Sequence, residues 1–156
     1  MQGKIKILFI CHGNICRSPM AEFIMKDMVT QRGLEDSFYI ESAATSTEEL
    51  GRDLYPPTKR ILRDKQIPFS KRRARQIVRG EDKRWDYIFG MDHANIRDLQ
   101  RWFPDAKEKI HMLLDHRAVS DPWYTDDFET AFNDVYEGCA IWLERILHDQ
   151  TEYTHT

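Results

Sequence analysis

The chain opens on a β-branched run, Lys4 to Ile10, whose apolar character is broken only by its two lysines and which ends at a Cys-His-Gly-Asn cluster. Such a run predicts a buried strand. From Pro19 onward, Ala21, Ile24, Met25 and Met28 recur at helical spacing, which predicts an amphipathic helix. Ser18 stands where an N-cap would, with proline following at the first helical position. The opening therefore reads strand, tight loop, helix. The alternation continues with a strand over Phe38 to Ala44, helices over Thr58 to Lys65 and Arg72 to Val78, and a strand over Tyr87 to Met91. Asp92 is placed to cap a helix running through Trp102, followed by a strand over Lys109 to Leu114 and a long terminal helix from Asp126 to His148. The tail Thr151 to Thr156 is expected to fray. Strands that alternate with helices predict an α/β fold with a parallel sheet covered on both faces. Ligands of such sheets bind beyond the carboxyl ends of the strands, near the point where strand order reverses, and the loop Cys11 to Arg17 lies at such an end.

Composition narrows the picture. A length of 156 residues, 41% of them hydrophobic, suits one core and is short for two, so a single domain over residues 1–156 is expected. A formal charge of -3 with 31% charged residues lacks the basic excess of a nucleic-acid binder, and nucleic acid is not an expected partner. Met1 to Lys4, leading into an apolar run that Lys6 interrupts, does not read as a signal peptide. No apolar stretch is long enough to span a bilayer, so a membrane is not expected as partner either. Three cysteines without disulfide-framework spacing suit a reducing compartment. The cytoplasm is the expected location, with leaderless export left open.

In Cys11-His12-Gly13-Asn14-Ile15-Cys16-Arg17-Ser18, five residues separate the first cysteine from the arginine. A loop between a buried strand and a helix start aims successive backbone N–H groups into one concavity, and the helix dipole adds positive potential. His12, Gly13, Asn14, Ile15, Cys16 and Ser18 are accordingly the expected phosphate cradle, in which Gly13 and Asn14 most readily take the positive φ of an anion nest. The same field favours a thiolate, which makes Cys11 the candidate nucleophile. Arg17 can offer a planar fork of donors to two phosphate oxygens. Ser18 can donate its hydroxyl to the thiolate and so improve it as a leaving group. The phenolate or alkoxide left behind departs more easily when a carboxylic acid protonates it. Asp121, in Asp121-Pro122-Trp123-Tyr124, is the candidate acid: proline stiffens the turn, and Trp123 and Tyr124 can wall a slot for a flat phosphorylated ring. Of the rival carboxylates, Asp92 is read as a helix cap and Asp115 as a turn residue.

The Cys-x5-Arg-Ser-Pro loop, Met20-Ala21-Glu22 at the helix start and the late Asp-Pro-aromatic-Tyr together resemble the low-molecular-weight protein tyrosine phosphatases. Glu41-Ser42-Ala43, Ala74-Arg75-Gln76 and Met91-Asp92 followed by Asn95 extend the resemblance over essentially the whole chain. It implies a single three-layer domain on a four-stranded parallel sheet. It also implies hydrolysis of phosphotyrosine in proteins or peptides through a phosphocysteine, affinity for phosphate-like anions, and no metal or other cofactor. On this resemblance Cys11 is the nucleophile, Arg17 the phosphate-binding arginine, Ser18 the hydroxyl beside the thiolate and Asp121 the acid. Asn14 and Ser42 match residues that brace the loop, and Cys16 matches a second loop cysteine that can pair reversibly with the oxidised nucleophile. Four positions depart from the family pattern. Arg72 stands where many members have a histidine in the bracing network, Glu48 lies near a common rim aromatic, Ala44 replaces a common glycine and Trp123 a common tyrosine.

Other readings compete with these. Cys139, beside Ile141 and Trp142, reads as core, and Lys71, Arg72, Arg73, Arg75 and Arg79 read as a solvated helix face. His12 beside Cys11 hints at a metal, but Cys-His-x3-Cys has no partners at structural-zinc spacing. A noncatalytic phosphate-binding module would use the nest and Arg17 without needing Cys11 and Asp121 together. An arsenate reductase of this kind needs relay cysteines, and none lies between Cys16 and Cys139. Arginine phosphatases typically carry threonine at the position of Ile15, where a branched apolar side chain better suits an aromatic substrate.

Overall fold

The computed structural model describes residues 3–155, without the side chains beyond residue 150. The opening run forms β1 (Ile5–Cys11), followed by α1 (Arg17–Gln31), β2 (Phe38–Ala44), α2 (Pro56–Asp64), β3 (Tyr87–Gly90) and α3 (His93–Trp102). The last third holds β4 (Ile110–Met112), the short α4 (Pro122–Thr125) and α5 (Phe128–His155). Single 3-10 turns precede β2, β3 and β4. The four strands make one parallel sheet in the order β2-β1-β3-β4, as the alternation of strand and helix predicts.

β1 is central and pairs on both sides, with Ile7 in register with Ile40 of β2 and Tyr87 of β3. A strand buried on both faces has to be apolar throughout, and Ile7, Leu8, Phe9 and Ile10 are fully buried. Its side chains alternate between two cores. Ile7, Phe9 and Cys11 pack with Met20, Ile24, Val135 and Cys139 beneath α1 and α5, whereas Leu8 and Ile10 pack with Ile77, Trp85, Leu99 and Phe103 on the α3 side. The chain passes from β1 to β2 on one side and then crosses to β3 on the other, which leaves a crevice at the carboxyl end of β1.

Several local expectations are corrected. Arg72 to Val78 is extended rather than helical, because its backbone is taken by strand and loop partners: Ala44 N donates to Arg75 O at 2.7 Å, Ile77 N to Ala44 O at 3.0 Å, and Ala74 N to Arg52 O at 2.7 Å. The basic run is therefore no helix face, and only Lys71, Arg73 and Arg79 are exposed. Ser18 is not the cap of α1: the helix begins at Arg17, and the Ser18 hydroxyl is engaged by Asn14 and Cys11 instead. α5 begins at Phe128, where Asp127 accepts from Thr130 N at 2.9 Å, and its backbone stays helical to His155, through most of the segment expected to fray. Thr156 and the side chains of 151–155 lie outside the described residues. β4 is shorter than expected, since Leu113 and Leu114 already belong to the segment leading to Asp121. Among the described residues no helix is long and apolar enough to cross a membrane.

One close approach fixes how α5 sits on that segment. A Cβ at Gly138 would lie 2.5 Å from Leu113 Cγ, so the helix can press this near only without a side chain there. Gly138→Val is expected to lower stability by about 1–3 kcal/mol through overpacking. Urea unfolding would read this as a lower midpoint at an unchanged slope.

Candidate active site

At the carboxyl end of β1, residues 12–16 curl back so that Arg17 opens α1. Within the loop Asn14 takes φ 60°, the left-handed conformation expected of it, whereas Gly13 does not. Gly13 serves a different need: a Cβ there would meet Glu49 Cγ at 3.1 Å. The turn brings Asn14 N to 3.3 Å from Cys11 Sγ, and the first turn of α1 brings Ser18 Oγ to 3.0 Å from the same sulfur.

The Asn14 side chain is fully buried and fully satisfied. Its Nδ2 donates to Ser18 Oγ and to Ser42 Oγ, each at 2.9 Å, and its Oδ1 accepts from Arg75 N at 3.3 Å and from Arg72 Nη2. Ser42 in turn donates to Glu22 Oε1 at 2.6 Å. These bonds join Asn14 and Ser42, the two residues expected to brace the loop. Glu22 and Arg72 complete the network, and Arg75 adds an ion pair with Glu81 at 2.6 Å and Glu41 at 3.1 Å behind it.

Arg17 is buried and held from three directions. Its Nη1 donates to Val119 O at 3.1 Å, while Nη2 lies 2.9 Å from Asp92 Oδ2 and 3.3 Å from Asp121 Oδ2. Burial works against its charge, but Cys11, Asp121 and Asp92 outweigh that, so the guanidinium holds its proton above even the ordinary arginine range. Asp92 does cap α3, through Asn95 N at 2.8 Å, and Asn95 returns a bond from Met91 N at 2.9 Å. Its second carboxylate oxygen orients Arg17, a role that reading it as a cap alone missed. The sequence signals for it were its position, just past the end of a strand neighbouring β1, and its place in the Met91-Asp92 and Asn95 pattern of the resemblance.

Asp121 caps the four-residue α4 by accepting from Trp123 N at 3.1 Å, which leaves its other oxygen facing Arg17. The segment before it is tied to α5: Asp134, itself buried, accepts from Ser120 N at 2.9 Å and from Arg117 Nη1 at 2.7 Å. Trp123 and Tyr124 are 53% and 84% exposed, so they line the mouth rather than pack in a core. Trp123 leans on Tyr55 at 5.2 Å between ring centroids, a support that the sequence reading did not single out.

These residues enclose a cleft of about 200 Å³ lined by Cys11, His12, Gly13, Asn14, Ile15, Cys16, Arg17, Asp121, Trp123 and Tyr124, with Glu48 and Glu49 on its rim. His12 faces outward and pairs with Glu48 at 3.0 Å. Asp115 is turned away on the surface, in a bidentate pair with Arg145 at 2.6 and 3.2 Å. Cys16 is a buried free thiol, and burial first, then the neighbouring Cys11, push it up to about 12. Cys139 is sealed in the core. A sulfur with a backbone N–H and a hydroxyl beside it, a caged guanidinium and a carboxylate stand across one cleft, an arrangement chemically suited to phosphoryl transfer.

The chain is similar in sequence and fold to known proteins. A solved low molecular weight protein tyrosine phosphatase from Streptococcus pyogenes is 40% identical, with a TM-score of 0.84 over 90% of this chain and 92% of that one. The structure of YfkJ from Bacillus subtilis superposes with a TM-score of 0.91 at 34% identity, covering 95% of this chain and 98% of that one. The low molecular weight phosphotyrosine protein phosphatase of Gallus gallus is 37% identical over 92% of this chain and 97% of its own. With the family model described as low molecular weight phosphotyrosine protein phosphatase matching residues 6–152, from β1 into the last turns of α5, the chain belongs to that family.

Proposed function

We propose that the chain hydrolyses phosphotyrosine in proteins or peptides in two steps, with Cys11, Arg17 and Asp121 as the reacting group, the clamp and the acid. In the first step Cys11 Sγ attacks phosphorus, the bond from phosphorus to the phenolic oxygen breaks, and Asp121 gives that oxygen its proton. Arg17 and the loop N–H groups hold the equatorial oxygens while their charge rises. In the second step Asp121 takes a proton from water as the water oxygen attacks phosphorus. The sulfur then leaves as a thiolate into the bonds offered by Ser18 and Asn14 N.

The observation that carries this reading is the sulfur's surroundings: a backbone N–H and a hydroxyl within 3.3 Å of Cys11 Sγ, and a carboxylate held across the same cleft by Arg17. A binding module has no use for that pairing. The rim of Trp123 and Tyr124 supports a flat aromatic substrate, and Ile15 in the cradle supports tyrosine over arginine phosphate. Cys16, beside Cys11 in the loop, would reseal an oxidised Cys11 as a disulfide. Oxidation of Cys11 removes the second of the three influences, burial, Cys11 and Asp121, that hold the Cys16 thiol protonated. Three unpaired thiols suit the cytoplasm.

Rapid acid quenching of wild type with a phosphotyrosine peptide is expected to trap phosphate on the peptide that contains Cys11. Turnover with no label at Cys11, or with label on another residue, would remove the proposed intermediate.

A further inference from the structure

We propose that Asp134, on α5, is a positioning residue for the acid: by holding the Ser120 N–H it keeps Asp121 at the leaving oxygen once Arg17 has turned to the phosphate. The inference rests on the reading of Asp121 as the acid. In the structure the Asp121 carboxylate faces the Arg17 guanidinium at 3.3 Å. A phosphoryl group takes that fork of donors for its own oxygens, so this ion pair is not what places the acid when an ester is bound. The backbone before Asp121 has to do it. Val119 is fixed to the sheet and the cradle, its N–H donating to Met91 O at 2.8 Å and its carbonyl accepting from Arg17 Nη1 at 3.1 Å. One residue nearer the acid, Ser120 N donates instead to α5, at Asp134 Oδ2, 2.9 Å away. That second hold makes no use of Arg17 and survives the arrival of phosphate.

Asp134 can clip this segment twice because a carboxylate offers two acceptor oxygens. Oδ2 serves Ser120 N, and Oδ1 accepts from Arg117 Nη1 at 2.7 Å, three residues earlier in the chain. Asp134 is buried, and the Arg117 guanidinium offsets the charge that burial would otherwise make costly. Arg117 is itself exposed, and its Nη2 lies 3.6 Å from Glu137, further along α5. An asparagine at position 134 has a single acceptor oxygen. It can give that oxygen to Ser120 N, because the exposed Arg117 is free to turn to water. A leucine serves neither donor.

The test is kcat/KM for a phosphotyrosine peptide and for an aryl phosphate whose phenol is a few units more acidic. Wild type is compared with Asp134→Asn, Asp134→Leu, Asp121→Asn and Asp121→Asn/Asp134→Leu. Asp134→Leu is expected to slow the peptide about 10- to 100-fold and the activated ester less than about threefold, because only the peptide needs a well-placed proton. Asp134→Asn, which keeps an acceptor for Ser120 N, is expected to stay within about threefold of wild type on both. On the peptide the double variant is expected to be at most about twofold slower than Asp121→Asn, since both changes act through one carboxyl. Equal losses on the two substrates, a loss for Asn as large as for Leu, or losses that multiply in the double variant overturn the proposal. If Asp134→Leu does not fold, Asp134→Ala is read by the same outcomes. If neither folds, a fall of about tenfold on the peptide in Asp134→Asn overturns it. A leaving-group effect in Asp121→Asn without one in Asp134→Leu defeats this proposal alone, whereas its absence from Asp121→Asn defeats the reading of Asp121 as well.

Discussion

Cys11→Ser is expected to leave no measurable hydrolysis of phosphotyrosine peptides, a loss of roughly 10⁵-fold or more, while inorganic phosphate still binds. The two effects separate because they depend on different atoms. Arg17, with its partners Val119 O, Asp92 and Asp121, and the loop amides are untouched by the exchange of sulfur for oxygen. The groups that surround position 11 favour an anion, but a serine hydroxyl gives up its proton far less readily than a thiol does. Steady-state assays paired with calorimetric titration of phosphate would read both quantities on one preparation. Retention of more than about a hundredth of the activity would place the nucleophile elsewhere. The neighbouring candidate is Cys16, whose thiol, at about 12, is the wrong protonation state for attack.

Asp121→Asn is expected to lower kcat for phosphotyrosine by about 10²- to 10⁴-fold, and to lower it far less for an aryl phosphate whose phenol is a few units more acidic. Asparagine can keep the bond from Trp123 N, so α4 stays capped, and Asp92 at 2.9 Å continues to hold Arg17. What is lost is the proton. A leaving group that departs well as its anion barely needs one, so the ratio of the two losses measures acid catalysis alone. Equal losses on both substrates would mean that Asp121 acts by orienting Arg17 and not as the acid.

Periodicity made β1 and α1 legible because each has one dominant environment: β1 is buried on both faces, and α1 lies against α5. The loop between them was legible because Cys11, Asn14, Arg17 and Ser18 act within a few residues of one another. Arg72 to Val78 was not. Its basic spacing suits a helix, and only the distant carbonyls of Ala44 and Arg52, invisible to any local window, draw it out straight. Asp92 was half legible for a related reason. A cap is a local device that reads from sequence, whereas its hold on Arg17 spans the sheet between loops that follow β1 and β3. Glu22 and Tyr55 support the site by reaching Ser42 and Trp123 respectively, contacts set by packing and not by pattern.

The clamp on Asp134 divides the catalytic machinery by its attachment to the fold. The cradle belongs to β1 and α1, in the middle of the sheet. Asp121, the proposed acid, arrives from the far edge, beyond a three-residue strand, on a segment tethered to α5 through Ser120 and Arg117. Edges open at lower free energy than centres. The first fluctuation of the native state would therefore free the acid while the cradle stays closed, leaving a species that holds phosphate but releases its ester slowly. On that expectation, affinity for phosphate outlasts the speed of turnover.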